Sequence, residues 1–431
     1  MASVDEVASL LARLLTTALA PAGEPPDSGG FFSSADDEGK LVGVHVTTEG
    51  LVLVDEIIVL LRADPQASDQ LRQEDAHQEV GQVIVEGAIA LDAGALDVGA
   101  LAGTLIARIG AGRHDWTVML PVPGLVLPAA TALDLAGLTI GSLTAEPLAR
   151  AAETLRRLSS QGHDAGETER LDSSLTSYGS WAVGAVMARD ESANVIVEER
   201  LSHAVDILQS FALLMGINPD TTHLGQERVR GQRPDMRWNS TGTFVLGESI
   251  IDAGHPYELD ATQLVELVGD QCFRRARAIV AATARNDMEE KILWGMRLFG
   301  EASRAETSEK KVLGYVTVLE TVLAREGTGP GTDRNDRHRK IARRLTLFIA
   351  SVNDQPVLNV LERIYEVRTQ HAHHGYSGGI QGQEFATRRD VEVAQGLAFR
   401  ALRIALHESE PYTTRAEFIS ELDRRSGVPA S

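Results

Sequence analysis

The chain has 431 residues, with 41 Lys and Arg against 61 Asp and Glu, for a formal net charge of −20 at pH 7. At roughly 100 to 200 residues per domain this length predicts two or three domains. A content of 43% hydrophobic and 24% charged residues excludes wholesale disorder and a fibrous repeat, and the single Cys272 excludes a disulfide scaffold or a cysteine-based zinc cluster.

No apolar run reaches the roughly 18 residues that a membrane span needs. Asp5 and Glu6 stand where a signal peptide carries positive charge, so the expectation is a soluble cytoplasmic protein with no membrane partner. The charge is unevenly spread. From Arg285 onward there are 22 basic and 21 acidic residues, which leaves 19 basic and 40 acidic residues in positions 1–284. A strongly negative field repels phosphates, so the two parts face different electrostatic tasks or have different partners.

In chain order, residues 4–18 repeat Leu and Val at helical spacing behind Ser3, a plausible cap, and end in the breaker stretch 21–30. Residues 41–61 are β-branched and partly alternating (Val42, Val44, Val46, then Leu51 to Val54), which suits strands, although 57–61 fits either state. A polar insert covers 64–78. The Val-, Leu-, Ala- and Gly-rich stretch 80–143 reads as short strands and turns without a fixed period. Residues 148–158 read as helix, 161–177 as polar loop, 181–188 and 195–197 as strands, 201–215 as amphipathic helix, and 228–246 as strand and loop. The region 35–250 is thus mixed α+β, in one or two subdomains.

Beyond Thr262 the pattern is nearly continuous helix: 263–283, 287–302, 306–325, 337–351, 356–374 and 386–407, with a break at Gly327, Gly329, Pro330 and Gly331. Long helices joined by short breaks describe an antiparallel bundle. The fold class expected is therefore α+β, an N-terminal mixed α/β region followed by a C-terminal all-α bundle. The domain reading is 1–260 as an N-terminal sensor or regulatory region, 261–286 as a connecting helix, 287–410 as the bundle and 411–431 as a C-terminal tail.

Potential catalytic groups are densest at the end of one of these helices, Ile364-Tyr365-Glu366-Val367-Arg368-Thr369-Gln370-His371-Ala372-His373-His374-Gly375. Pro356 suits a first turn and Gly375 a left-handed end, so Arg368 and the histidines occupy the last two turns. This run resembles the Arg-x4-6-His signature of HEPN domains, particularly the ApeA-like branch. Tyr315 to Leu323 is similar to that family's helix with an "LE-x-L" core, and Lys340-Ile341-Ala342-Arg343-Arg344 to the basic start of the next. The resemblance covers residues 287–408, just over a quarter of the chain. Thr369 takes the place where many HEPN sequences carry Asn, Asp or His, similar to the Ser common in the ApeA-like branch.

The resemblance implies a metal-independent endoribonuclease of a bacterial antiphage defence, abortive-infection or toxin system. Such an enzyme is a hydrolase without cofactors that cleaves RNA, transfer RNA among the candidates, as a homodimer or larger homo-oligomer. A phage-derived trigger or partner protein would act on the N-terminal region. The residues suit the chemistry. Attack by RNA's own 2′-hydroxyl needs a proton-moving group and a cation on the phosphate. His373 or His374 supplies the first and Arg368 the second. Five positions at about 100° each set Arg368 and His373 about 140° apart on the helix, so two copies of the helix are expected to combine across a twofold axis.

Glu320 is a candidate to orient Arg368, with Thr369 and His371 supporting. Arg337, Arg339, Lys340, Arg343 and Arg344 form a candidate RNA-backbone track. Three rival readings stand beside these: a catalytically inactive HEPN scaffold that dimerises through the bundle, zinc held by His371 and His374, and nucleotidyl transfer to Tyr365 or Tyr376. His114 with Asp115, His163 with Asp164, and Ser180 lack a triad-like context.

Overall fold

The computed structural model describes residues 3–19, 29–35, 41–62, 73–110, 114–162, 165–188, 190–220, 224, 231–239, 244–251, 256–282, 284–324, 334–347, 355–374 and 386–427. It describes the backbone alone at 29, 34–35, 41–42, 62, 73–74, 162, 165–168, 190–191, 231–239, 244–251, 334–338, 355–356 and 368–374. The chain divides into two compact units: Met1–Val118, Ala185–Val197 and Arg237–Thr243 form the first, and Met119–Gly184, Glu198–Met236 and Phe244–Ser431 the second. The architecture is α+β: a small sheet region lies in the first part of the chain and helices fill the C-terminal part.

The first unit opens with α1 (Val4–Thr17), started by a capping box in which Ser3 and Glu6 satisfy each other's backbone N–H groups. Val7, Leu11, Leu14 and Leu15 form its buried stripe. Strands β1 (Gly29–Ala35) and β2 (Leu41–Thr47) pair antiparallel, Gly29 opposite Thr47 and Ala35 opposite Leu41. Three helices follow, α2 (Thr48–Arg62), α3 (Gln73–Asp92) and α4 (Val98–Gly110). Their apolar positions (Val54, Ile57 and Ile58; Val80, Val83 and Ile84; Ala102 and Leu105) join the stripe of α1 in one core. A Cβ on Gly81 would lie 2.4 Å from the Phe32 ring, so only glycine lets α3 approach β1 this closely.

These helices correct the strand reading of 51–54 and the strand-and-turn reading of 80–110. Spacings of three, four and seven bury one helix face, and that packing outweighs the strand preference of the β-branched residues.

Next come β3 (His114–Pro121), β4 (Leu125–Val126), β5 (Ala132–Leu135), β6 (Leu138–Gly141), α5 (Glu146–Gly162), α6 (Ala165–Thr176) and β7 (Trp181–Ala188). They are followed by α7 (Asp190–Phe211), a 3-10 turn (Ala212–Met215), β8 (Gly231–Asn239), β9 (Phe244–Ile251) and β10 (Tyr257–Glu258). Six strands form one sheet in the order β5-β6-β7-β3-β8-β9, with β5/β6 and β6/β7 antiparallel, and β10 pairs parallel with β4. The strand expected at 181–188 is present. Residues 195–197 lie inside α7 instead, and the loop expected over 161–177 is largely α6, which buries Leu171 and Leu175.

The second unit ends in α8 (Ala261–Gly269), α9 (Gln271–Ala281), α10 (Asp287–Arg304), α11 (Ser308–Leu323), α12 (Arg334–Thr346), α13 (Gln355–His374), α14 (Arg388–Glu408) and α15 (Arg415–Ser426). Helix α11 lies at the centre, packed on α10, α12, α13 and α14. The single helix expected over 263–283 is two. Asp270 ends α8 in an extended conformation, and its side chain accepts the N–H of Phe273 to start α9. The stretch read as a tail contains α15, whose Thr414 and Glu417 make a capping box and whose Phe418, Ile419 and Leu422 are buried.

Candidate functional site

Helix α13 is anchored before it reaches the candidate catalytic residues. Leu358, Leu361, Ile364, Tyr365 and Val367 are buried, whereas Asn359, Glu362, Arg363 and Glu366 are exposed. The Tyr365 hydroxyl donates to Glu320 Oε1 at 3.1 Å. Arg363 reaches Glu366 at 3.4 Å and Asp390 of α14 at 3.5 Å. Tyr365 is only 6% exposed, which withdraws it as an acceptor of a nucleotidyl group in the folded chain; Tyr376 lies outside the described residues.

The backbone remains helical through His374, so positions 368 to 374 continue the same screw. Position 368 follows Leu361 by seven residues and Ile364 by four, the spacing of one helix face, while position 373 follows the exposed Glu366 by seven. The two positions stand about 140° apart around the axis and about 7.5 Å apart along it. The side chains of Arg368, Thr369, His371, His373 and His374 lie outside the described residues, and so does the Arg368 half of the expected pair with Glu320. The zinc reading of His371 and His374 lies there too. Among the described residues, no group of three or more His, Cys, Asp or Glu could hold a metal ion.

The basic run divides. Arg339 and Arg343 are exposed, Lys340 is half-buried, and the side chain of Arg337 lies outside the described residues. Arg344 is a correction: it is 1% exposed, and Nε and Nη2 donate to Asp423 Oδ1 and Oδ2 at 2.6 and 2.8 Å. Its Nη1 donates to the carbonyl of Leu323. A guanidinium sealed this way does not meet an RNA backbone, because both faces of its fork are already occupied.

Arg344 has a companion. Arg415 of α15 is 8% exposed and donates through Nη2 to the carbonyls of Glu320 (2.7 Å) and Ala324. Two buried cations therefore neutralise the carbonyl end of α11, the negative pole of its dipole. The same turn of α11 carries Glu320, which holds Tyr365, so α12 and α15 together fix the seat of the motif helix. The sequence signal for α15 is its Thr414-x-x-Glu417 capping box.

Two further buried polar clusters join residues far apart in sequence. Asp206 of α7, with 3% of its side chain exposed, pairs with Arg304 of α10 at 2.7 Å. A Cβ on Gly300 would come within 2.2 Å of Asp206 Oδ1, so glycine makes room for that carboxylate. Asp220 accepts from the Tyr315 hydroxyl at 3.0 Å and pairs with Lys311 at 3.2 Å, and Gln395 donates to the same hydroxyl at 2.9 Å. Burial raises the pKa of Asp220 and of Tyr315. The two clusters together lock α10, α11 and α14 to their neighbours. Ser180 accepts the N–H of Leu127 at 3.2 Å, a buried structural contact, and the Cys272 thiol, pushed up by burial, donates to the Arg403 carbonyl at 3.7 Å.

Asp206 carries a pH prediction. Burial pushes its carboxyl up to about 6 from 3.8, against the opposing pull of Arg304. Between those values the folded chain binds more protons than the unfolded chain, so stability falls as pH rises from about 4 to about 6 and this contribution is level above. At 1.36 kcal/mol per unit the change is roughly 3 kcal/mol. Asp206→Asn is expected to remove this slope from the stability-against-pH curve measured by chemical denaturation; an unchanged slope contradicts the assignment.

The chain matches no protein-family model, and neither curated proteins nor solved structures show a match to it.

Proposed function

We propose that this chain is a metal-independent endoribonuclease effector of a bacterial antiphage defence or toxin-type system, cleaving RNA at a composite Arg/His site on a dimer of HEPN-like bundles. The observation that carries this reading is the placement of Arg368 and His373 in the last two turns of a helix whose earlier turns are fixed in the bundle. One copy of α13 sets the two positions on different faces, which suits a site assembled from two chains.

In the reaction proposed, the imidazole of His373 or His374 takes the proton of the RNA 2′-hydroxyl, and O2′ attacks the adjacent phosphorus. The 5′-oxygen leaves and takes a proton from the imidazolium just formed, directly or through water, giving a 2′,3′-cyclic phosphate and a free 5′-hydroxyl. Arg368 spreads its two N–H donors over the non-bridging oxygens as their charge grows. Arg339, Lys340 and Arg343 are the described cations of α12 that remain candidates for the RNA backbone. The N-terminal region, residues 1–260, is the part assigned to sensing a phage-derived trigger.

The test is incubation of the purified protein with total RNA in EDTA, followed by sequencing of fragment ends. Fragments ending in cyclic phosphate are expected. Intact RNA, or cleavage that begins only on adding a divalent metal, contradicts the mechanism.

One observation favours a scaffold that dimerises without catalysis: position 368 continues the face that is buried one and two turns earlier. A scaffold predicts no growth arrest on overexpression and no relief by Arg368→Ala.

A further inference from the structure

Helix α9, Gln271–Ala281, contains Arg274, Arg275 and Arg277 and no acidic residue. Cys272 and Phe273 turn inward, as do Ala276, Ile279 and Val280, which leaves Arg274 exposed and Arg277 half-buried on the outer side. Helix α14 lies beside it, as the contact from Cys272 Sγ to the Arg403 carbonyl shows. On α14 the positions of Arg389, Gly396, Arg400, Arg403 and His407 follow one another by seven, four, three and four residues, the spacing of a single helix face. Arg389, Arg400 and His407 are exposed, and most of the buried residues of α14 (Val391, Ala394, Ala398, Ala401, Leu402 and Ala405 among them) occupy the other side, with Ile404 at the edge of the arginine face.

The carboxylates near this face are already taken. Asp270 pairs with Arg403 at 3.0 Å and Glu289 with Arg275 at 2.7 Å. Glu392 pairs with Arg388 at 3.0 Å, and Glu408 with Arg425 at 2.9 Å and His407 at 3.0 Å. Among the described residues, no carboxylate lies within ion-pair distance of Arg274, Arg277, Arg389 or Arg400. In a chain of net charge −20, this concentrates four uncompensated guanidiniums on two adjacent helices. Arg389 to Arg400 covers about 16 Å at 1.5 Å per residue. The face also leads toward the motif helix: Asp390, next to Arg389, pairs with Arg363, five residues before Arg368.

We propose that the arginine-lined outer face of α9 and α14 is a docking track for the phosphodiester backbone of a nucleic-acid strand, which delivers RNA toward the end of α13. The track reads phosphate charge and not base identity, since none of its members is an aromatic platform free for stacking. It is separate from the α12 cations and rests on the reading that the chain acts on RNA.

Binding is measured by fluorescence anisotropy with a labelled 2′-O-methyl oligouridylate, which lacks the attacking hydroxyl and so reports docking without cleavage. The wild-type chain is expected to bind it, and to bind a single-stranded DNA of equal length comparably. Replacing Arg274, Arg277, Arg389 and Arg400 together by glutamine is expected to weaken binding about tenfold or more and to reduce the salt slope by about 3, at roughly 0.7 for each phosphate that is no longer neutralised. Arg274, Arg389 and Arg400 are exposed and Arg277 is half-buried, so thermal unfolding should move little; should the fourfold variant misfold, Arg274→Gln and Arg400→Gln singly read the same effect at smaller size.

Equal affinity of variant and wild type overturns the track, as does a wild-type chain that binds neither oligonucleotide. Arginine-dependent binding to anionic phospholipid vesicles without binding to either oligonucleotide overturns it in favour of a membrane surface. The catalytic reading fails separately: arginine-dependent binding without cleavage of ordinary RNA keeps the track and removes the nuclease.

Discussion

Asp423→Ala is expected to destabilise the helical bundle by about 3 kcal/mol, at the lower end of the 3 to 5 kcal/mol that follows when one partner of a buried ion pair is removed. Arg344 is 1% exposed, and its fork closes on both oxygens of Asp423 at 2.6 and 2.8 Å. Without the carboxylate, the guanidinium stays in the interior with only the Leu323 carbonyl to hold it. Asp423 is 9% exposed, so water reaches part of the vacated space and sets the lower figure.

The paired replacement of Arg344 by Met and Asp423 by Leu removes both charges and is expected to recover most of the loss, because dehydrating the pair costs about what its attraction returns. Chemical denaturation of the two variants checks this. A loss under about 1 kcal/mol for Asp423→Ala means that the pair is hydrated and that Arg344 does not fix the end of α11.

The second large effect is on the proposed RNA cleavage. Arg368→Ala is expected to lower the rate about 10²- to 10³-fold, the usual consequence of removing one donor from a charge developing in the transition state. Loss of the general base costs a comparable 10²- to 10⁴-fold, and comparing His373→Ala with His374→Ala identifies which imidazole moves the proton. Arg368→Lys keeps the charge but not the planar fork, so its rate should stay well below wild type. On overexpression, arrested growth is expected for the parent chain and recovery for Arg368→Ala.

What the sequence made legible was the periodicity of elements that bury one face alone. Helices α10, α11, α13 and α14 lie within a few residues of their expected positions, because their apolar residues recur every three or four positions and caps mark the starts of α10, α11 and α14. Helices α2 and α3 have the same recurrence, yet Val and Ile at those sites suggested strands; packing against α1 decides the matter, and that partner is remote in sequence.

The site shows the same limit. The placement of Arg368 and the histidines at a helix end was visible from Pro356, the apolar stripe and Gly375. The burial of Arg344 was not, because its partner Asp423 is 79 residues away on a helix read as a tail. The pairing of Asp206 with Arg304 spans 98 residues and leaves no local mark. Charged residues on an amphipathic helix look alike in sequence whether they face water or a distant carboxylate.

The most direct measurement of the proposed composite site uses two variants together, each expected to be inactive alone. Arg368→Ala and His373→Ala chains (His374→Ala, if that imidazole proves to be the base) are coexpressed with different tags, the mixed dimer is isolated, and RNA cleavage in EDTA is compared with each variant alone. A site shared between subunits predicts that the mixed dimer regains up to about half the wild-type rate, since one of its two sites holds both an arginine and a histidine. A mixed dimer as inactive as its parents, or a wild-type chain that cleaves RNA as an isolated monomer, contradicts the account.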